Sequence, residues 1–464
     1  MKKLYKIFTL LAMVIGLALA SNAQTTVSSI ISSNQTWTAK GSPYLITANA
    51  LIESGVKVTV EPGAHIRTTT TGLKLIVDGS FEAIGKKDSV ITVDSLTLEF
   101  TDKSVGYDVA TKKGSQFQFV FFNCVGSGGS KVIDLKSKSM LVKNCKFFDG
   151  YYIIYSYSAP GKDTTDLILE NSVFRGVTST SGYMVYSSGN TRLQITDCYA
   201  DRMGGLIISK WTTIKRSTFR NFSYSSGIRQ TSGLELILEC NLFQNFRYRM
   251  LDLSYTNNNQ VIELNQNTFD SCDVLLALRA GATYKPKKMV IKNNNFLRYN
   301  KNTVAVSIGS APGQADTLDL TKNYWGTTTK SDIETGIKDF TDDITIGGYV
   351  DFTGYLTSPV SACSSGGTIG GADTSGVFSS VDPIIENFKI AVYPNPANNS
   401  VSVDGNGSTI QTVKILDLHG KLIQQVNIND IKSSIDVSMI VDGLYIIEVS
   451  SETRSAYQKI LIKH

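Results

Sequence analysis

A six-residue unit that returns eight times constrains this chain more than any other feature. It reads VKNCKF (Val142–Phe147), LENSVF (Leu169–Phe174), ITDCYA (Ile195–Ala200), IKRSTF (Ile214–Phe219), LECNLF (Leu238–Phe243), LNQNTF (Leu264–Phe269), IKNNNF (Ile291–Phe296) and LTKNYW (Leu320–Trp325). FFNCVG (Phe121–Gly126) reads as a worn copy ahead of them. An aliphatic residue is followed five places later by an aromatic one, with a small or amide residue at the third place. The units end at 147, 174, 200, 219, 243, 269, 296 and 325, so they lie 19 to 29 residues apart. A period near 25 residues marks a stacked repeat architecture. Ahead of each unit, apolar residues alternate: Met140 with Val142, Leu167 with Leu169, Ile262 with Leu264, Met289 with Ile291. A period of two belongs to a strand with one buried face. Gly, Ser, Asn and Asp clusters between units supply turn chemistry.

The expected solid is a right-handed parallel β-helix, one repeat per coil, with coils about 4.8 Å apart. Like residues then stack on like, and Phe147, Phe174, Phe219, Phe243, Phe269 and Phe296 form an internal ladder. A leucine-rich horseshoe has units of similar length, but its helical half and dense Leu pattern are missing. The outward column Lys143, Glu170, Thr196, Lys215, Glu239, Asn265, Lys292 and Thr321 alternates in charge, and is expected to be a solvated ladder of weak pairs. Cys124, Cys145 and Cys198 are read as sharing one repeat position, with Cys124 and Cys145 on neighbouring coils. Parallel stacking aims both thiols the same way, which predicts free, buried thiols.

The chain opens MKKLYKIFTLLAMVIGLALASNAQ. Lys2, Lys3 and Lys6 precede an apolar run at Phe8–Ala20, and Ser21-Asn22-Ala23 supplies small residues. This predicts a signal peptide over 1–23, cleaved after Ala23, with no membrane span afterwards. Its removal leaves 42 basic against 40 acidic residues, a balance that does not fit a nucleic-acid surface. The composition, with 38 Gly and only 3 His, is that of an extracellular all-β chain.

Residues 24–361 carry the repeats, and at this point the chain resembles the pectin-lyase-like β-helix superfamily. Ser54-Gly55, Val56–Val60, Pro62-Gly63, Leu73–Val77, Gly79 and Ala83-Ile84-Gly85 look like its opening coils. Asn323-Tyr324-Trp325-Gly326 looks like its closing segment, with Ile333–Ile337 as a short helix that caps the open end. Residues 362–386 read as a Ser/Gly-rich linker, in which Cys363 is expected to be exposed. Residues 387–464 alternate short strands and turns, the pattern of a small Ig-like β-sandwich. Tyr393-Pro394-Asn395-Pro396, Asp417 to Lys421 around Gly420, Gly443-Leu444-Tyr445 and the terminal run from Lys459 closely resemble the type A sorting domain of the type IX secretion system of Bacteroidetes-like bacteria. The resemblance implies handling by that machinery, and a protein released or held at the outer cell surface.

The resemblance to the β-helix superfamily brings enzymes into view, because it includes polysaccharide hydrolases and lyases. The hydrolase and Ca²⁺-lyase signatures of that superfamily are missing from the coils, and His65 is read as structural. No Cys or His pair has zinc spacing, so neither a metal nor a cofactor is expected. Aromatic and basic residues instead recur on the strand after each Phe. Tyr152, Tyr155, Tyr183, Tyr186, Trp211, Arg229, Arg247, Tyr248, Arg249 and Arg279 are the candidates for one stripe along the stack. Such a stripe suits a sugar polymer, with rings against pyranose faces and Arg forks on acidic groups. The favoured reading is a monomeric, non-catalytic secreted protein that contacts polysaccharide. The alternative is a lyase that acts on an anionic glycan by β-elimination, with a Tyr or Lys base.

Overall fold

The computed structural model describes residues 24–361, 363 and 390–464, apart from 125–129, 160, 177–181, 209, 223–225, 231–232, 247–248, 256–258, 273, 281–286, 299–305, 309–315, 345–347, 406–408, 417–421 and 451–454. The expected leader and nearly all of the expected linker therefore lie outside the described residues. The chain divides into two units, Met1–Val377 and Phe378–His464.

The first unit is a parallel β-helix. Three parallel sheets of 11, 12 and 13 strands run along it, and successive coils contribute one strand to each. One coil, for example, contains Thr165–Glu170, Val173–Arg175 and Tyr183–Gly189. The repeat sets this register. Phe122, Phe147, Phe174, Ala200, Phe219, Phe243, Phe269 and Phe296 pair one above the next in the 12-stranded sheet. Their stacked rings lie 4.5 to 5.5 Å apart, with Ala200 as the one break. Trp325 ends the ladder 4.8 Å from Phe296. A helix at Lys330–Thr335 follows, slightly earlier than expected because Gly336 closes it, and it buries Ile333.

The third and fourth places of the repeat do different work. Asn144, Asn171, Asp197, Arg216, Cys240, Gln266, Asn293 and Lys322 all have positive φ, between 46° and 60°. This left-handed corner, which Asn and Asp tolerate best, turns the chain from one sheet to the next. The fourth residue then points inward: Cys145, Ser172, Cys198, Ser217, Asn241, Asn267, Asn294 and Asn323 are all buried. The corner leaves a backbone N–H inside the stack, and the next coil accepts it. Cys145 N donates to Ser172 Oγ at 3.0 Å and Cys198 N to Ser217 Oγ at 3.0 Å. Further along, Asn241 N donates to Asn267 Oδ1, Asn267 N to Asn294 Oδ1 and Asn294 N to Asn323 Oδ1, at 2.9 to 3.0 Å. The outward column beside it carries the expected pairs, including Lys143–Glu170 at 2.8 Å and Lys215–Glu239 at 2.7 Å. These exposed pairs are worth roughly 0–1 kcal/mol each and form no site. His65 lies 2.7 Å from Asp94 through Nε2, in keeping with a structural role.

Two cysteine expectations are corrected. Phe122 pairs with Phe147, so Cys124 falls two places beyond the Phe column, while Val120 occupies the level of Cys145. The copy in register with Val142–Phe147 is therefore Phe117–Phe122 rather than Phe121–Gly126, and Phe119 takes its left-handed corner at φ 50°. Cys363 is not an exposed linker thiol, but is half-buried and bonded to Cys240, with Cα atoms 5.7 Å apart. The chain after the last coil turns back over the stack to reach it. Leu356 N donates to Asn323 O at 2.9 Å, and Val360 exchanges two hydrogen bonds with the Asn295 side chain. Cys240 sits at an outward corner, so its sulfur faces this strap.

Cys124, Cys145 and Cys198 are free and buried, and Cys272 is buried as well. Burial pushes the Cys145 and Cys198 thiols up to about 12, far above the range where a thiolate forms. Alkylation of the native protein, read by mass spectrometry, is expected to modify none of the four before unfolding. Brief reduction is expected to open labelling at Cys240 and Cys363 alone. Recovery of a Cys124–Cys145 bridged peptide would overturn this assignment.

The second unit holds a three-stranded antiparallel sheet (Ala391–Tyr393, Ser400–Asp404, Lys432–Asp436) and a four-stranded one (Leu422–Asp430, Ile410–Leu416, Gly443–Ser450, Ser455–Ile462). Alternate residues from both, among them Val401, Val403, Ile415, Ile435, Ile447 and Ile460, make one core.

Candidate functional site

The 13-stranded sheet gathers the aromatic candidates. Its strands Tyr152–Ser158 and Tyr183–Gly189 lie side by side, with Tyr152 paired to Tyr183 and Tyr155 to Tyr186. Ile154 and Val185 point into the core, so alternation turns Tyr155 and Tyr186 out, whereas Tyr152 and Tyr183 are half-buried across a break in the alternation, where Ile153 and Met184 are buried as well. Gly182 allows the close approach, because a Cβ there would collide with the Tyr151 carbonyl oxygen. The ring centroids of Tyr152 and Tyr183 are 5.7 Å apart with planes 15° from parallel, and those of Tyr155 and Tyr186 are 4.9 Å apart at 10°. The two pairs meet nearly at right angles, at 83° between Tyr152 and Tyr155 and 79° between Tyr183 and Tyr186. The four half-buried rings thus form two walls of an angular platform.

The columns continue with a change of chemistry. Below Tyr155 come Asp134 and then Glu99, and above Tyr186 come Ile207, Arg229 and Asp252. Gly205 follows Tyr183 and adds no side chain to that column. Lys131 Nζ sits 3.7 Å from the Tyr155 ring centroid and 2.8 Å from Asp134 Oδ2. This ammonium is fixed against both an aromatic face and a carboxylate. Burial pushes the Glu99 carboxyl up, yet hydrogen bonds from Lys136 and Lys74 outweigh it and hold it below its usual range. Burial, then the neighbouring Tyr186 and Asp134, raises the Tyr155 phenol above its ordinary value. Its hydroxyl is therefore a donor at neutral pH.

The remaining candidates are distributed differently. Arg229 and Arg249 lie on the same sheet and are exposed, and Arg249 reaches Asp252 at 3.6 Å. Trp211 does not join the stripe. It opens the strand Trp211–Lys215 of the 11-stranded sheet, between Arg192 and Glu235, because it lies before that coil's Phe rather than after it. Arg247 and Tyr248 lie outside the described residues, as does the side chain of Arg279. Sequence reading missed Lys131 and Asp134, whose only signal is their register with the tyrosines one coil on. Among the described residues, no group of three His, Cys, Asp or Glu side chains is arranged to hold a metal ion.

In the C-terminal unit, the Tyr393–Pro396 motif fastens the last strand. Asn395 Oδ1 accepts from Leu461 N at 2.9 Å, and Ala397 N donates to Leu461 O at 2.8 Å. Gly443 pairs with Ile462, and Tyr445 donates its hydroxyl to Val441 O at 2.8 Å. Tyr393 is exposed, with Lys432 Nζ 5.3 Å from its ring centroid. Gly420 and the Lys459 side chain lie outside the described residues. The family described as secretion system C-terminal sorting domain matches residues 391–463. This unit is a sorting domain. The sorting domain indicates export through the type IX secretion system, to the cell surface or the extracellular space. No curated protein matches the chain. A solved structure of PorZ, described as an essential bacterial surface component of the type IX secretion system of Porphyromonas gingivalis, aligns at 19% identity with a TM-score of 0.16. That alignment covers 19% of this chain and 13% of PorZ, and the β-helix is interpreted on its own residues.

Proposed function

We propose that the β-helix is a non-catalytic, monomeric passenger of the pectin-lyase-like type that binds polysaccharide at the cell surface. In this reading, the leader at 1–23 carries the chain to the periplasm and the sorting domain carries it outward. The observation behind the binding role is the tyrosine platform of Tyr152, Tyr155, Tyr183 and Tyr186. Stacked coils present it as rigid, half-buried rings whose hydroxyls donate, with Arg229 further along the same sheet. Rigid aromatic walls with polar tips bind sugar rings at low entropic cost.

The same geometry gives a Tyr- or Lys-based β-elimination little support. A general base works best with a pKa near the working pH. The Tyr155 phenol is shifted the other way, and Lys131 Nζ is engaged by both Asp134 and the Tyr155 ring. The platform is tested on a panel of immobilised neutral and acidic polysaccharides. The parent protein is expected to bind without generating the ultraviolet absorbance of an unsaturated product. Tyr155→Ala with Tyr186→Ala is expected to weaken binding about tenfold, and Arg249→Ala less. Product formation, or binding indifferent to the tyrosine pair, defeats the proposal.

A further inference from the structure

The 12-stranded sheet, which precedes the tyrosine-bearing sheet in each coil, carries a second cluster. Arg175, Asp201 and Arg220 occupy one outward column on three successive coils, and Tyr199 stands in the column beside it, between Val173 and Thr218. An Arg–Asp–Arg column would ordinarily neutralise itself. Here the carboxylate is engaged elsewhere: Asp201 Oδ2 accepts from Arg202 Nε at 3.2 Å, and Oδ1 accepts from Asn221 Nδ2 at 2.7 Å. Among the described residues, Arg175 Nε and Arg220 Nε are buried with no acceptor. Tyr199 is acted on by burial first, then by Asp201, Arg220 and Arg175, and the net effect raises its phenol. Arg220 donates a hydrogen bond to the Tyr199 oxygen, which keeps its own O–H to donate.

A buried guanidinium N–H without an acceptor is costly, and native structures seldom keep one without a ligand or water to fill it. The register sets the two arginines two coils apart, about 10 Å, with Asp201 between them and Tyr199 in the adjoining column. Guanidinium forks match the geometry of carboxylate and sulfate oxygens. We propose that Arg175, Tyr199 and Arg220 form an oxyanion subsite that takes the carboxylate or sulfate groups of an acidic polysaccharide. The polymer's identity rests on the glycan reading above, whereas the anion site stands on its own contacts.

Titration calorimetry of the full chain with dextran, dextran sulfate and polygalacturonate tests this. The parent protein is expected to prefer one acidic polymer over dextran by about tenfold or more, the effect of one charge-assisted fork. Which one it prefers distinguishes sulfate from carboxylate. Arg175→Gln with Arg220→Gln is expected to abolish that preference, with an unchanged circular dichroism melt. Arg175→Lys with Arg220→Lys keeps the charge but loses the fork, and is expected to reduce the preference; it decides the matter if the Gln pair does not fold. Tyr155→Ala with Tyr186→Ala is expected to weaken all three polymers and leave their ratio intact. If the tyrosine pair changes nothing while the Arg pair removes acidic binding, the platform falls and the subsite stands. The subsite is overturned if the parent shows no acidic preference, or if folded Arg variants retain it.

Discussion

Asn267→Leu is expected to destabilise the β-helix by about 3 kcal/mol or more, although leucine fits the volume. Asn267 Oδ1 accepts from both the N and the Nδ2 of Asn241, and its own Nδ2 donates to Leu238 O at 2.8 Å and Asn294 Oδ1 at 3.0 Å. Leucine would leave the Asn241 N–H inside the stack with no acceptor, and removing a partner from a buried donor costs about 1–3 kcal/mol per group. Asn267→Ser is expected to cost less, because Ser172 and Ser217 fill the same place four and two coils earlier and accept the same kind of N–H. Urea unfolding of the three proteins measures both differences. Equal stability of the Leu and Ser variants would show that the amide column contributes packing and not hydrogen bonding.

Phe243→Ala is expected to cost about 3–5 kcal/mol. Phe243 is fully buried, with Phe219 5.3 Å away on one side and Phe269 5.2 Å away on the other. The backbone pairing on both neighbouring coils fixes their spacing, so the cavity cannot close by collapse. The native ladder already has one alanine at Ala200. Removing the ring at 243 leaves a void between two Phe rings that stack on it in the native fold. A midpoint shift near zero in urea would mean that the ladder is not a stabilising feature.

Much of the architecture was legible because the repeat states its own register. An aliphatic residue and an aromatic one five places apart set the strand, its inward face and the stacking of like on like, and Tyr152, Tyr155, Tyr183 and Tyr186 follow from that register. Sequence reading fell short where position in the repeat does not decide direction. The amide at the third place looks like the buried one, but the left-handed corner turns Asn144 and Asn171 outward and hands the interior to Cys145 and Ser172. The Cys240–Cys363 bond spans 123 residues and depends on a strap that folds back, which no spacing encodes. Trp211 belongs to another sheet because one residue type recurs on two strands of a coil. Nothing in the sequence sets Arg175 and Arg220 apart from other arginines, because the missing acceptor at each Nε appears only in the folded structure.

The central claim is that the tyrosine platform is where polysaccharide rests. Hydroxyl-radical footprinting by mass spectrometry, with and without a bound polysaccharide, tests it most directly, because Tyr side chains report their own exposure. Protection is predicted at Tyr152, Tyr155, Tyr183 and Tyr186, with Tyr393 of the sorting domain and Trp211 unchanged. Saturating polysaccharide that leaves the four tyrosines as reactive as before, or protects Trp211 in their place, would contradict the account.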